Sequence, residues 1–569
     1  AMEIQLGQHA DSLRPETILK PNAGLDLNYA FDTGTHLQLA VNPDFGQIEV
    51  DPAVVNLSPY EVFFPERRPF FVASSGMFKT PLTMVHTRRI GAAPPAPEAE
   101  EDGTILEVDS EARILAAAKI TGHEGRLSYG ILSAGVLPTF AVEKKADGTI
   151  VDRRATMGAH FGAGRLGFRT GASSTLGMLL TAVTRADPAK SDSDTDSDLG
   201  ADAYAVGFDW DLRNNSGWQT IGQIAGTWTH DKGGYGLTIN AGQKGAPRWR
   251  YWITAESFSK HYEINDMGYQ WRNDMVFFQL CAQHLQPAPW RFLRESWIML
   301  LATYAFNHTN PELAFDRRLE LNTWAKFTNL WQTWGGVGVR FFGMDDQETR
   351  GGPAYPRPMC IYFWFGGQSD HAQMVYLRTN NQAVKEQDAH YLALETSVNS
   401  ILWNRLNLSL LGRGILFRQQ PRWVETLNGP GRYRYIFGDL SQNQLELQLT
   451  ATFVPHRRLS FQVFGQLLYS VGTYSSYREL YPLADGNSTL DAPDHDSNAD
   501  FASFSIITNV VLRWDFGHGT AAYLVYKMNA PLNETGRPIA FDLANSLSRI
   551  VDQRNDHLLL AKISYAWDF

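Results

Sequence analysis

The densest group of ionisable residues in a confined setting is Glu66-Arg67-Arg68, held between Pro65 and Pro69 and flanked by Phe63, Phe64, Phe70 and Phe71. One carboxylate beside two guanidiniums is not a proton-transfer site. Charges set among prolines and phenylalanines are costly to enclose unless paired. The chemistry to expect is therefore ion pairing that docks this segment onto carboxylates of a surrounding wall. Asp192, Asp194, Asp196 and Asp198 alternate with Ser and Thr at the spacing of a calcium loop. Ser197 occupies the place of that loop's glycine, and Ala203 the place of its last carboxylate. Asp491, Asp494 and Asp496 form a second acidic run. A divalent cation in these loops is the only cofactor the two runs suggest. Arg432-Tyr433-Arg434-Tyr435 alternates cation and aromatic, a pattern able to stack on sugars or meet anionic phosphates at a membrane surface. There is no HExxH, no G-x-S-x-G and no Cys/His metal spacing. A hydrolase would have to draw its Ser, His and acid from separate elements. His160, His230 and His284 read more simply as wall residues among polar neighbours.

The elements that position these groups follow from composition and period. The chain has 569 residues, 12% aromatic, with 16 Trp, 48 Gly and a mean hydropathy of −0.27. No uncharged apolar run reaches the roughly 18 residues of a membrane helix. A barrel is not excluded, because alternating strands average to ordinary hydropathy. The net charge of −10 gives no footprint for nucleic acid. Cys281 and Cys360 make no disulfide framework, though one bridge is possible in an oxidising compartment.

Residues 559–569 set the pattern. One face carries Leu559, Ala561, Ile563, Tyr565, Trp567 and Phe569; the other carries Leu560, Lys562, Ser564 and Asp568. A soluble edge strand of this kind would aggregate, whereas a strand between lipid and a wet lumen should look like this. Trp218 and Trp228 share a face ten residues apart, about 25 Å along the normal at ~40° tilt, the height of an apolar band. Leu445, Leu447, Leu449 and Phe453 oppose Glu446, Gln448, Thr450 and Thr452. Leu459, Phe461, Val463, Leu467, Tyr469 and Val471 oppose Ser460, Gln462, Gln466 and Ser470. About 24 such strands are expected, joined by connections that alternate short and long. The alternation is kept by reading 83–90 as a strand, which hangs residues 44–80 from the short-turn end. The 432–435 run then falls in a long loop.

Residues 42–91, NPDFGQIEVDPAVVNLSPYEVFFPERRPFF followed by HTRRIG, resemble the signature of an uncharacterised family of bacterial outer-membrane barrels. Asp266-Met267-Gly268-Tyr269 and the terminal strand fit it more loosely. In that family the barrel commonly follows a periplasmic module similar to family 9 carbohydrate-binding domains. These 569 residues carry no such module, which weakens the glycan connection. The resemblance implies an outer-membrane location, partners in lipid, lipopolysaccharide and the assembly machinery, and a terminal assembly signal at Tyr565, Trp567 and Phe569.

The expectation is thus an all-β, transmembrane, antiparallel outer-membrane barrel of about 24 strands over 22–569. Residues 1–21 would be a periplasmic tail, both termini periplasmic, and 44–80 a plug. Its function would be a gated pore for solute or polymer. The rivals are a membrane hydrolase acting on lipid or surface polysaccharide, and an anchor for a periplasmic or surface protein.

Overall fold

The computed structural model describes residues 2–6, 17–43, 51–95, 97, 99, 103–109, 111–185, 201–429, 432–482, 488–491, 498–517, 519–536, 541–552 and 555–565. Twenty-six strands form one sheet, and every recorded ladder in it is antiparallel. Without the short Ser488–Asp491 flap and the N-terminal Met2–Leu6 and Thr17–Pro21, the wall has twenty-three strands. It runs neighbour by neighbour from Leu25–Ala30 to Asp556–Ser564, and Met2–Leu6 pairs beyond the last of these. Thr17–Pro21 pairs with Met2–Leu6, while Leu25–Ala30 pairs with His36–Val41 at the opposite edge. These two edge strands point the same way and are separated only by residues 22–24. No ladder joins them among the described residues, so the sheet is not closed by hydrogen bonds.

Period-two alternation assigns the two faces. Ile224, Trp228, Leu319, Leu321, Phe363, Phe365, Leu447 and Leu449 are exposed on the outward face. Gln223, Ala225, Thr227, Glu446, Gln466 and Ser470 are buried on the inward one. An exposed apolar face of this extent, with a polar opposite face, is the lipid-and-lumen pattern of a membrane barrel. Trp218 and Trp228 both lie on the outward face, as their spacing suggested.

Short turns, such as 31–35, 125–126, 170–174 and 214–217, lie at one end of the wall. The long connections 42–113, 137–158, 259–274 and 341–359 lie at the other. The strand expected over 83–90 does not form: Thr87–Arg89 is a single 3-10 turn between Pro-rich stretches. The connection 42–113 therefore leaves from the loop end, not the turn end. Without a strand at 83–90 the even count expected is not kept: the wall has twenty-three strands, and Met2–Leu6 and Thr17–Pro21 together add two more.

Other expectations shift for local reasons. Residues 150–156 join a three-stranded side sheet with Thr104–Val108 and Thr139–Lys144 instead of starting a wall strand. The loop expected around 419–442 is ladder: Leu406–Gly429, Arg432–His456 and Leu459–Pro482 run 24, 25 and 24 residues. At ~3.3 Å per residue and ~40° of tilt these rise about 60 Å, so more than half of each stands beyond an apolar band of about 25 Å. Up there Tyr469 and Val471, expected to face lipid, are buried instead. They lie with Phe504 and Leu532 under the helix Leu543–Asp552, whose Leu543, Leu547 and Ile550 face the wall. No helix among the described residues is long and apolar enough to cross a membrane.

Candidate functional site: an insertion braced across the lumen

Residues 51–91 fold inside the wall with little regular structure, one turn of helix at Pro69–Val72 and 3-10 turns at Ser75–Phe78 and Thr87–Arg89. Phe71, Phe78, Leu82, Met84 and Ile90 are buried against inward residues of the first strands, among them Leu132, Phe161, Leu179, Ala205 and Ala225. Small inward residues make room for them. A Cβ at Gly207 would come within 2.6 Å of the Met84 sulfur, and one at Gly130 within 2.6 Å of Met77. The inward face of this half of the wall is therefore a packed apolar core near the loop end. A uniformly polar lumen was expected; the apolar content was hidden because Ala, Gly and Thr read as neutral in a strand.

The Glu66-Arg67-Arg68 group closes the segment on itself. Arg68 donates from Nε to Glu66 Oε1 at 2.9 Å and from Nη2 to Oε2 at 2.7 Å. It also donates to the carbonyls of Ile90 and Thr87 at 2.7 and 2.6 Å. Thr87 Oγ1 donates to Glu66 Oε2 at 2.7 Å. Burial pushes the Glu66 carboxyl up, but hydrogen bonds and charge from Arg68, with help from Thr87, outweigh it and hold it below the usual range. Arg89 pairs with Glu61 at 2.7 Å, and Arg88 pairs with Asp51. PERRPFF and HTRRIG are thus two halves of one clamp. Sequence reasoning saw both but assigned Arg68 to carboxylates of the wall, because spacing along a chain does not say that residue 87 returns to residue 66. Arg67 is half-buried, Phe63 exposed, Phe64 and Phe70 intermediate and Phe71 buried.

The wall grips the insertion chiefly through its backbone. Lys119, buried on the inward face, donates to the carbonyls of Phe70 and Ala73 at the end of the short helix. Gln223 accepts from Leu82 N–H at 2.7 Å. Gln466 accepts from Ala53 N–H at 2.7 Å and donates to its carbonyl at 3.1 Å, as a neighbouring strand would. The strands carrying Gln223 and Gln466 lie twelve places apart along the sheet. One segment touching both requires the wall to curl around it.

Two loops pack on the insertion and on one another at the loop end. In 259–274 the His86 N–H donates to the Met267 carbonyl at 2.7 Å and Tyr269 N–H to Thr83 at 2.8 Å. This DMGY stretch thus packs directly on the clamp. The hairpin Gly343–Asp345 and Tyr355–Arg357 reaches toward the tall strands, where Tyr355 stacks on Phe437 at 4.8 Å and Arg422 meets Glu348 at 3.3 Å. Arg272 bonds Asp346 at 2.9 Å. Tyr60 of the insertion sits among these groups, its hydroxyl pushed up to about 12 by burial and by Asp345.

The His86 ring lies 4.8 Å from Phe63 and 5.8 Å from Tyr269. Burial lowers its pKa, helped by Arg89, so the docked segment favours neutral imidazole. Docking is then at full strength above the ordinary value of about 6.5 and weakens as the pH falls below it. Proteolysis within 51–91 is expected to quicken between pH 7.5 and pH 5. His86→Phe should flatten that dependence; an unchanged profile in the variant would assign it to another group.

The other sequence candidates are dispersed. Asp192, Asp194, Asp196, Asp198, Asp494, Asp496, Trp567 and Phe569 fall outside the described residues, and Asp491 lies in the Ser488–Asp491 strand. Arg432, Tyr433, Arg434 and Tyr435 begin a strand instead of lying in a loop. Arg434 bonds Glu479 at 2.8 Å, Tyr435 packs near Tyr355 and Phe437, and Tyr433 is exposed. They do not form one platform. Tyr565 is exposed beyond the last strand. Cys281 and Cys360 are buried and free. His160 bonds Ser133 at 2.9 Å on the outward face, His230 lies at a hairpin with φ 49°, and His284 packs on Trp249.

The fold and the braced insertion define a class: a large antiparallel membrane-barrel wall with an internal segment entering from its loop end. Residues 7–569 match the model of a family described as a domain of unknown function (DUF5916), and the chain belongs to that family. No curated protein matches it. Among solved structures it is similar to one titled as the FpvAI–pyocin S2 complex, at 10% identity and a TM-score of 0.34, covering 83% of this chain and 74% of that one. It is also similar to the alcaligin outer-membrane receptor FauA of Bordetella pertussis, at 11% identity and a TM-score of 0.30, covering 83% and 77%.

Proposed function

We propose that this protein is an outer-membrane channel for polar solutes, gated by residues 51–91. The loop end would face outward and the turn end the periplasm, as in barrels with short periplasmic turns. The observation that carries the reading is the asymmetry of the lumen. The insertion seats on the apolar half of the wall, and the half from Ala314–Phe327 to Leu459–Pro482 presents polar residues. These include Arg318 paired with Asp316 and Glu320, Arg340 with Glu386, and Arg413 near Glu395 and Glu446. Ion pairs lining a lumen rather than filling a core are consistent with a hydrated lane beside the insertion. A gate needs one firm and one weak attachment. Here the core around Phe71 and Met84 is the firm one, and the Gln466–Ala53 clasp the weak one.

The test is a reversible lock. In a background with Cys281 and Cys360 changed to serine, Ala53→Cys with Gln466→Cys should form a disulfide on oxidation. Single-channel conductance in planar bilayers is expected to fall several-fold on oxidation and to recover on reduction. Equal conductance in both states would mean that the insertion is not the gate.

A further inference from the structure

The inward face carries an unusual feature near the turn end, where the polar half of the wall begins. Trp297, Trp324 and Trp334 stand directly opposite one another on three consecutive strands, Leu293–Asn307, Ala314–Phe327 and Gln332–Arg340. Trp364 and Tyr362 continue the arc upward on the next strand, stacked with ring centroids 5.8 Å apart and 21° between planes. Their alternate neighbours Ile298, Leu321, Val337, Ile361 and Phe363 are exposed on the lipid side, which fixes the arc on the lumen side. Aromatics of a membrane girdle belong on the outer surface. These are on the wrong side for that role.

The rings also lie against the wall instead of standing off it. A Cβ at Gly366 would fall 2.3 Å or less from the Trp334 indole. One at Gly336 would meet Trp364 at 2.4 Å, and one at Gly338 would meet Tyr362 at 2.4 Å. Trp334, Trp364 and Tyr362 are thus each laid over a glycine of the adjoining strand. All five side chains are intermediate in exposure, and the apolar core of the insertion lies on the opposite half of the wall.

We propose that this arc binds a neutral oligosaccharide passing through the lumen; the proposal rests on the channel reading and names its cargo class. The negative face of an aromatic ring attracts the weakly positive C–H face of a pyranose. The edge of a sugar needs donors and acceptors together, without net charge. Both surround the arc. Trp334 Nε1 donates to Asn380 Oδ1 at 3.0 Å, and Asn380 Nδ2 donates to Glu395 at 3.1 Å, so a hydrogen-bonded amide and a carboxylate stand beside the rings. Tyr362 donates to Glu320 at 2.6 Å, and Arg318 balances Glu320 at 3.3 Å. The exposed Arg378 reaches over Trp334 at 5.4 Å and can turn its guanidinium to a hydroxyl. A row of flat faces with no deep pocket suits a ligand that must arrive, slide and leave.

Maltohexaose and cellohexaose serve as α- and β-linked probes of the intact protein. Binding of either should shift tryptophan emission in detergent and produce transient current blocks in bilayers, both saturable in the millimolar range. Trp324→Ala with Trp334→Ala should weaken binding at least ten-fold, and Trp331→Ala, on the lipid side, should leave it unchanged. Should the double variant fail to assemble, Trp334→Ala alone should weaken binding and Trp334→Tyr should retain most of it. No emission shift with either sugar, or equal binding by parent and arc variants, would overturn the proposal. A conducting protein that ignores both sugars would leave the channel reading standing. A sugar-binding protein that never conducts would sink the channel and keep the site.

Discussion

Replacing Glu66 by alanine is expected to undock the insertion while the wall remains assembled. The variant leaves the buried Arg68 without the carboxylate that takes two of its hydrogen bonds. Removing one partner of a buried pair costs about 3–5 kcal/mol, because the remaining charge stays enclosed. The same change strips Thr87 Oγ1 and two backbone N–H groups of their acceptor, so both halves of the clamp loosen. Conductance should rise several-fold and residues 51–91 should become sensitive to protease. Removing both charges, Glu66→Ala with Arg68→Met, should restore much of the docking, since a buried pair can often be replaced by apolar groups at little cost. If the double variant is as loose as the single one, the clamp is held by the bonds Glu66 accepts from Thr87 and the backbone N–H groups, which the apolar pair does not replace, and not by the ion pair.

Leu449→Arg should block assembly, whereas Thr450→Arg should be tolerated. Leu449 lies on the outward face of Arg432–His456, opposite Gly465, in line with the exposed Leu447 and Phe453. An arginine near the midplane of a lipid face costs about 2–4 kcal/mol. Thr450, one residue on, points to the lumen, where an arginine finds water and carboxylates. The measurement is the heat-modifiable, folded fraction in the membrane. Equal effects would mean a one-residue slip of register, which exchanges the two faces.

The wall was legible because its physics is local. A period of two is written into each strand, and the terminal Leu559, Ile563 and Tyr565 face was readable without any partner. What the sequence hid was mostly non-local. Residues 83–90 carry enough apolar residues to pass for a strand, yet Met84 and Ile90 are buried in the lumen core and Thr87–Arg89 turns to reach Glu66. Tyr469 obeys the alternation and still is not lipid-facing, because a helix seventy residues later covers it. The lumenal tryptophans escaped notice for a related reason. Each sits alone in its strand, and only the ladder register brings Trp297, Trp324 and Trp334 side by side.

The Gln466–Ala53 clasp also has a kinetic meaning. It joins residues 413 positions apart, whereas Lys119 and Gln223 grip the insertion from strands made much earlier in the chain. Closing so long a loop is entropically costly before the intervening strands are in register. The clasp must therefore form last, once nearly the whole circumference exists. Until then the insertion would hang from one side of a growing wall, covering its apolar inner surface much as a chaperone covers a client. The segment proposed as the gate of the finished lumen would thus spend assembly shielding the unfinished one.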